Sequence, residues 1–478
     1  MRNQNKYGNL IFNTFIFALG SIGSKMISFF LVPLYTNVLS TSEYGTADLI
    51  MSCANITVPI AGLVIQDAVL RFGLSKKKQI GSVLKNAFFV FLGGSIFITI
   101  FTPLISMYAP LSNWGMYLTV ISITNMANTI MFTYAKAKEK NVLYATMSIV
   151  HTLVLVALNI LLLVVWKTGV KGYLIANIAG NVIPTIILFL ATGAYKEVIE
   201  APFDKNLFVD MLKYSIPLVA NNLSWWILNS SDKVMIESAL SASDLGIYTA
   251  ASKIPGLLSI VTSIFSQAWT VSSIKEYDSD KDKAFYATVF KYFSIVMFFG
   301  ATFVILILKP FMQVYVGTDF KDAWIYVPTL LLGAVFFSFG SFFGAIYGAL
   351  RKNSAVAFTT ILAAVINIVV NLIFIPIIGV AAAAISTAVS YVVMGLFRML
   401  HSRKYYKFEI NFVQFSINAF LITAEIILIM FGQNIYIVAT VMLLLLTVVN
   451  FRDLSGIKDW MFAFIKQKFL RGGKKNES

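Results

Sequence analysis

At 478 residues, with 58% hydrophobic residues and a mean hydropathy of +0.80, the chain is too apolar to be a soluble protein. Its net charge of +15 would suit a nucleic-acid partner, but the short polar loops leave no folded module to bind one. The longest polar connections, residues 195–213 and 274–284, are also too short to form a soluble catalytic domain.

Fourteen apolar stretches, separated by short loops, fill the chain. A span needs about 20 mostly apolar residues to cross a hydrocarbon core of about 30 Å. Each stretch is predicted to be a helix, because backbone polar groups in lipid must be satisfied within the segment. The sequence therefore predicts an all-α integral membrane protein with 14 transmembrane helices. The predicted spans lie near residues 9–39, 44–73, 83–106, 114–134, 142–166, 172–194, 214–238, 244–273, 285–308, 325–349, 354–375, 379–399, 411–431 and 434–451.

Lysine and arginine residues are distributed unevenly between the two sides of the predicted membrane. An excess of basic residues is typical of cytoplasmic loops, so both termini are predicted to be cytoplasmic. The basic side carries Arg2, Lys6, Lys76, Lys77, Lys78, Lys85, Lys136, Lys138, Lys140, Arg351, Lys352, Arg398, Arg403, Lys404, Lys407 and the tail 452–478, whereas the opposite side has Lys167, Lys171, Lys309 and Lys321.

The chain also repeats itself at a fixed spacing. The segment Leu39–Gly45 matches Leu240–Gly246 after a shift of 201 residues, and further matches follow in the same order. We predict two six-helix lobes, residues 1–200 and 208–405, followed by two extra transmembrane helices (410–451) and the basic tail (452–478). An even number of spans in each lobe makes the repeat parallel. Such repeats are typical of transporters that bind their substrate between the halves and alternate its access.

Three groups of motifs resemble a known family. They are Asp232–Lys233 followed by Gly246-Ile247-Tyr248 and Ala251–Ile254, then Ala68–Phe72, and Glu43–Gly45. The chain is similar to the polysaccharide transporters, or Wzx-type flippases, of the multidrug/oligosaccharidyl-lipid/polysaccharide (MOP) exporter superfamily. Where that family often has arginine, this chain has Lys233, which keeps the charge but loses the bidentate geometry.

The resemblance implies a flippase in the bacterial cytoplasmic membrane that moves an undecaprenyl-diphosphate-linked oligosaccharide by alternating access. It implies membrane lipids as partners, with a polysaccharide polymerase and other assembly proteins as further candidates. Alternatives within the superfamily are a lipid II flippase and a cation-coupled multidrug exporter. The sequence has no phosphate-binding Gly-x-x-x-x-Gly-Lys-Ser/Thr loop, metal-ligand cluster or nucleophile–base arrangement, so no enzymatic activity and no cofactor or metal are predicted. A membrane glycosyltransferase or a structural subunit is the alternative outside transport.

Ionisable groups inside spans are energetically costly and by default mark a functional site. Cations in spans 1, 2, 7 and 8 predict a cleft that attracts the diphosphate: Lys25, Arg71, Lys233 and Lys253. Candidate contacts for the sugars or for a gate are Asp67, Asn221, Asn222, Trp225, Trp226, Asp232, Gln267 and Trp269.

Structural roles for the same residues remain open at this point. Asp67 and Arg71 are four residues apart on a helix and could neutralise each other. Lys25 could have a structural ion-pair partner, and Asp232 with Lys233 could lock the two lobes together. Lys253 could pair with Asp232 or Glu237, and the tryptophans could be ordinary packing residues. Prolines that could bend the same four spans are Pro33, Pro59, Pro217 and Pro255.

Overall fold

The computed structural model describes residues 29–75, 79–278, 283–350 and 352–473, and this part of the chain is helical with no β-strand. The helices are α1 (Phe29–Val38), α2 (Thr41–Ala61), α3 (Ile65–Ser75), α4 (Ile80–Ser106), α5 (Gly115–Ala137), α6 (Asn141–Asn159), α7 (Gly169–Ala191), α8 (Ala194–Glu200), α9 (Lys205–Ala239), α10 (Ala242–Ser252), α11 (Pro255–Asp278), α12 (Lys283–Tyr315), α13 (Val327–Ala349), α14 (Asn353–Ile378), α15 (Val380–Ser402), α16 (Phe412–Met430) and α17 (Ile435–Gly473). A π-helical segment, Ile160–Val165, extends α6, and the 3₁₀ turns Ala109–Leu111 and Thr318–Tyr326 precede α5 and α13.

Within the described residues, nine helical segments are individually long and apolar enough to cross a membrane. The bent pairs α2–α3 and α10–α11 raise the number to as many as 11 if each pair is counted as one span. The prediction of an all-α integral membrane protein is confirmed. Helices α1, α5 and α9 occupy the positions of predicted spans 1, 4 and 7. Part of span 1 lies outside the described residues, and polar residues lower the hydropathy of α5 and α9, so the count of 14 remains a prediction.

The second predicted span is broken in a way that the sequence did not indicate. Helix α2 continues through Pro59 and ends at Ala61, and α3 restarts at Ile65 with a bend of 51°. Leu63 and Val64 at the break have φ values of 49° and 54°. Side chains rarely adopt this left-handed region, which persists only where surrounding packing fixes it. Val64 is completely buried, so packing holds the break in place.

The described residues pack into two compact units. The first contains the described residues up to Lys253 together with Gln313–Ala323 and Thr360–Ser386. The second contains the described residues of Ile254–Met312 and Trp324–Thr359 and those from Thr387 onward. These units do not follow the boundaries of the two predicted six-helix lobes, which remain a prediction.

The core of the first unit is built around α3, α5 and the beginning of α9. Ala68 and Val69 of α3 are completely buried and belong to one apolar cluster with Met126 and Tyr134 of α5 and Met211 of α9. Small residues such as Ala68 let membrane helices approach closely. The short helix α8 is fixed to the end of α5, since Glu197 accepts hydrogen bonds from both Tyr134 and Lys138.

The second unit has an aromatic core. Phenylalanine rings from α11, α12, α13 and α16 contact one another with centroid distances of 4.0–6.4 Å. Trp269 of α11 belongs to this core: its ring stacks on Phe342 at 4.4 Å, and its Nε1 donates to the Phe342 carbonyl at 3.0 Å. Buried aromatic pairs in these geometries add to the energy of area burial, so this tryptophan is a packing residue in the observed conformation.

Candidate functional site

The repeated segment has a local structural explanation. In α2, the Ser40 hydroxyl accepts from the Glu43 backbone N–H at 3.2 Å, and the Glu43 carboxylate accepts from the Ser40 N–H at 2.9 Å. In α10, Ser241 accepts from the Asp244 N–H at 3.1 Å. A serine followed three residues later by an acid is a helix-capping arrangement. Both copies of the repeat therefore begin the helix that carries the candidate site.

The first turns of α2 and α10 touch backbone to backbone. A Cβ atom placed on Gly45 would lie 1.9 Å from the Ala242 carbonyl oxygen, and one on Gly246 would lie 1.9 Å from that of Thr41. The hydroxyls of Thr41 and Ser243 are 2.7 Å apart. Only glycine fits at the two matched positions in this conformation. This contact joins the first predicted lobe to the second.

A buried ion cluster lies further along α2. Its central residue follows Thr41 by seven residues, which corresponds to about 10 Å along the helix axis. At its centre is Asp48, which is 8% exposed. Its carboxylate is 2.7 Å from the Lys233 ammonium and accepts from the Thr249 hydroxyl at 3.1 Å. The Lys253 ammonium is 3.8 Å from the other oxygen. Asp48 and Thr249 are separated by 201 residues, the same shift as the sequence repeat.

Asp232 lies beside this cluster and is buried at 3% exposure. It accepts hydrogen bonds from the Tyr248 hydroxyl and from the Lys233 backbone N–H, the latter at 3.0 Å. The described residues thus place two carboxylates with two ammonium groups. Buried charges require such compensation. Two of the predicted cleft cations are brought together, but a carboxylate already holds them in this conformation.

The two lysines differ in how freely they could take another anion. Lys233 has a side chain only 14% exposed and a contact with Asp48 short enough to be a charge-assisted hydrogen bond. Lys253 has a side chain 34% exposed, and its 3.8 Å separation from Asp48 is too long for a hydrogen bond. Lys253 can therefore approach a ligand without first breaking a hydrogen bond to Asp48. The ion-pair partner of Lys253 in the described chain is Asp48, not Glu237.

The remaining predicted cations lie elsewhere. The Arg71 guanidinium is stacked 4.5 Å from the centre of the Tyr214 ring and is exposed. No ion pair joins Arg71 to Asp67, although both residues lie in the described part of α3, and Asp67 is exposed as well. Lys25 lies outside the described residues. The structure thus brings Lys233 and Lys253 together and leaves Arg71 in a separate set of contacts.

The candidate sugar contacts on α9 divide into two groups. Trp226 is tied to α2, because its Nε1 donates to the Ser52 carbonyl at 2.7 Å. Asn222 bonds within its own helix, to the Leu218 carbonyl at 3.0 Å. Asn221 is exposed, and Trp225 is partly buried. In the second unit Gln267 is exposed, whereas Trp269 is covered by the aromatic core described above.

Sequence reasoning counted Asp48 among the ionisable residues inside spans but did not place it in the predicted cleft. Asp48 stands in the second predicted span, but the cleft was predicted from cations alone. The available signal was its position at a shift of 201 residues from Thr249, three residues beyond the repeated segment. Since buried lysines need an acid within reach, an acid on the matched helix was the partner to look for.

Removing the charge of Asp48 should destabilise the protein strongly. Asp48→Asn leaves Lys233 largely buried without its counter-ion, and breaking such a pair costs about 3 kcal/mol or more. We expect a clear fall in the thermal unfolding temperature of the purified protein in detergent. The double variant Asp48→Asn/Lys233→Met, which removes both charges, should recover most of the loss. A double variant as unstable as Asp48→Asn alone would show that the charge pair is not the cause.

The fold is similar to those of solved transporter structures. The lipid II flippase MurJ, in an inward closed conformation, matches over 92% of this chain and 99% of its own, with a TM-score of 0.68 and 14% identity. A multidrug resistance MATE family transporter of the MOP superfamily, in an inward-facing conformation, matches over 80% of this chain and 97% of its own, with a TM-score of 0.64 and 14% identity. The chain therefore has the fold of membrane flippases and transporters of this superfamily.

Comparison of the sequence identifies the family to which the chain belongs. The sequence model of the family described as polysaccharide biosynthesis protein matches residues 10–270, and the chain belongs to that family. An uncharacterized membrane protein of Haemophilus influenzae is 22% identical over 260 residues, which are 53% of this chain and 62% of that protein. The match thus spans less than two thirds of that relative's length. The resemblance inferred from the motifs in α2, α3, α9 and α10 is confirmed.

Proposed function

We propose that the protein is a flippase that moves an undecaprenyl-diphosphate-linked oligosaccharide from the cytoplasmic to the outer leaflet of the bacterial cytoplasmic membrane. The family and the fold support a transport role in polysaccharide biosynthesis. The observation that carries the choice of substrate is the pair of partly buried lysines, Lys233 and Lys253, that both contact the carboxylate of Asp48. Two neighbouring lysines inside a membrane protein can be neutralised by an anion that carries more than one charge, such as a diphosphate.

The diphosphate would act by exchange with Asp48. In the observed conformation α2 packs on α9 and α10, and Asp48 together with Asp232 balances the charge of the lysines. When α2 separates from those helices, the lysines would lose the carboxylate of Asp48. A diphosphate bound to the lysines would restore the negative charge. It would thereby stabilise the separated conformation relative to the one in which α2 packs on α9 and α10. The step breaks no covalent bond, since only ion pairs and hydrogen bonds are exchanged.

The same movement would expose polar groups for the sugars. Separation of α2 would release the Trp226 indole N–H from the Ser52 carbonyl. An indole with a free N–H offers both a flat apolar face and a hydrogen-bond donor. Asn221 and Trp225 on the same helix would extend this surface. We propose that these residues contact the oligosaccharide.

The topology follows the distribution of basic residues. Both termini and the basic loops would be cytoplasmic, and the contact between Gly45 and Gly246 would close the outer end of the pathway. The two predicted six-helix lobes would separate at this contact when the outer end opens, and their rocking would alternate access. Other membrane-bound proteins of polysaccharide assembly, such as a polymerase, would receive the product in the outer leaflet.

Ligand binding to the purified protein tests the choice of substrate. We expect farnesyl diphosphate, a short soluble polyprenyl diphosphate, to raise the thermal unfolding temperature in detergent, and farnesol at equal concentration to leave it unchanged. Farnesyl monophosphate should have an intermediate effect, because it carries fewer anionic oxygens for the lysines. Stabilisation by a cationic dye, without stabilisation by the diphosphate, would support a drug exporter instead. Lipid II shares the undecaprenyl diphosphate, so sugar-bearing lipids are needed to separate that alternative.

A further inference from the structure

A polar cavity lies in the unit that does not contain the Asp48 cluster. It has a volume of about 580 Å³ and lies among the beginning of α12, the connection between α15 and α16, the beginning of α16, and α17 near Asp453. This volume is in the range of small-ligand pockets. The helices concerned are membrane spans, and the cavity lies near their ends, where lipid headgroups meet water.

One side of the cavity is a fixed, neutral network. The Lys291 ammonium is 2.7 Å from one oxygen of Asp453. The amide of Gln414 donates to the other oxygen at 2.7 Å and to the Asn450 side-chain oxygen at 2.9 Å. These bonds tie α12, α16 and α17 together. Lys291 and Asp453 neutralise each other, so this side offers polar groups without net charge.

The other side presents one cation and one anion that are not paired. Arg403 is placed by stacking, with its guanidinium 4.7 Å from the centre of the Phe412 ring. Glu409 also lines the cavity and is exposed. Neither side chain is within ion-pair distance of a charged group in the described chain. The positive end of the α16 helix dipole begins beside Arg403 and favours an anion there. A ligand that pairs with both groups must itself carry both charges.

Exposed apolar side chains cover the face of α16 that turns away from the cavity. Val413 is 71% and Phe420 is 69% exposed, and both lie in a membrane span. Such a surface suits acyl chains, whereas a soluble ligand would need none. The cavity therefore lies at the end of a helix whose exposed face contacts lipid chains, which places its polar groups at the level of the lipid headgroups.

We propose that this cavity binds a phospholipid whose headgroup carries a phosphodiester and a primary ammonium group. Arg403 binds the phosphate through its planar fork of N–H donors, and Glu409 accepts hydrogen bonds from the ammonium. The site is separate from the transport site of the proposed function and does not depend on it. The bound lipid connects α12, α16 and the segment between α15 and α16.

Native mass spectrometry of the full-length protein with defined lipids tests this proposal. We expect the wild type to retain one phosphatidylethanolamine during delipidation in preference to phosphatidylglycerol, which lacks the ammonium. Arg403→Ala should weaken retention about tenfold or more, as expected for loss of charge-assisted hydrogen bonds. Lys404→Ala, which removes the neighbouring exposed cation, is the matched control and should leave retention unchanged. Glu409→Gln should abolish the preference for phosphatidylethanolamine while phosphatidylglycerol still binds.

Three results would overturn the proposal. The first is equal retention of the two lipids by the wild type. The second is an equal effect of Arg403→Ala and Lys404→Ala in variants with wild-type unfolding temperatures. The third is binding of soluble phosphoethanolamine as tight as that of the lipid, because the ligand would then be the free headgroup compound. The Glu409→Gln result stays informative even if Arg403→Ala does not fold.

Discussion

Replacing Lys253 by alanine should reduce the rate of lipid flipping by a factor of about 30 or more, which corresponds to the roughly 2 kcal/mol lost when one partner of a buried charge contact is removed. Lys253 has the looser contact with Asp48, at 3.8 Å, and the more exposed side chain of the two lysines. It is therefore the residue expected to meet the diphosphate first. Lys253→Arg keeps the charge and should retain much of the activity.

The measurement is flipping of a labelled undecaprenyl-diphosphate sugar in proteoliposomes that contain equal amounts of each variant. Lys171→Ala is a suitable control, because it removes a lysine that is exposed and lies outside the cluster. It should flip at the wild-type rate. A wild-type rate for Lys253→Ala would remove Lys253 from the transport site and contradict the exchange mechanism.

The second large effect is expected at the contact between α2 and α10. Two cysteines introduced as Thr41→Cys and Ser243→Cys, in a chain whose own Cys53 is replaced by serine, should form a disulfide on mild oxidation. The native hydroxyl oxygens are 2.7 Å apart, close to the roughly 2.05 Å of an S–S bond. The cross-link would hold α2 against α10. Flipping should stop and should return when the disulfide is reduced.

Each single cysteine variant is the control and should flip normally with and without oxidant. Adding Gly246→Val to the double-cysteine chain should suppress the cross-link, because a Cβ at that position would lie 1.9 Å from the Thr41 carbonyl oxygen. Full flipping by the cross-linked protein would mean that α2 and α10 do not separate during transport.

The sequence predicted the fold class because membrane spans are long and uniformly apolar. It also located the motif that begins α2 and α10, since a serine followed by an acid has a local capping role. The break at Leu63 and Val64 could not be predicted in the same way. Two adjacent left-handed residues without glycine are fixed by tertiary packing, and no local preference indicates them. Pro59, the local signal in that span, lies inside the helix.

The candidate site was predicted in part. Charged residues in apolar stretches pointed to Lys233 and Lys253, but the acid that holds them lies about 200 residues away along the chain. Pairing over that distance depends on which helix faces touch, which helical periodicity alone does not determine. Trp269 illustrates the same difficulty, because an aromatic residue in a span suits a sugar contact and a packed core equally well. Arg71 was chosen for its charge, yet it lies on the Tyr214 ring.

The proposed movement of diphosphate-linked oligosaccharides is tested most directly by wild-type flipping in proteoliposomes with a set of lipids. We expect rapid flipping of an undecaprenyl-diphosphate oligosaccharide compared with protein-free liposomes. We expect much slower flipping of the same oligosaccharide on a neutral polyprenyl carrier, which cannot replace Asp48 as the partner of the lysines. Equal flipping of the charged and neutral lipids, or export of a cationic dye with no movement of either lipid, would contradict the proposal.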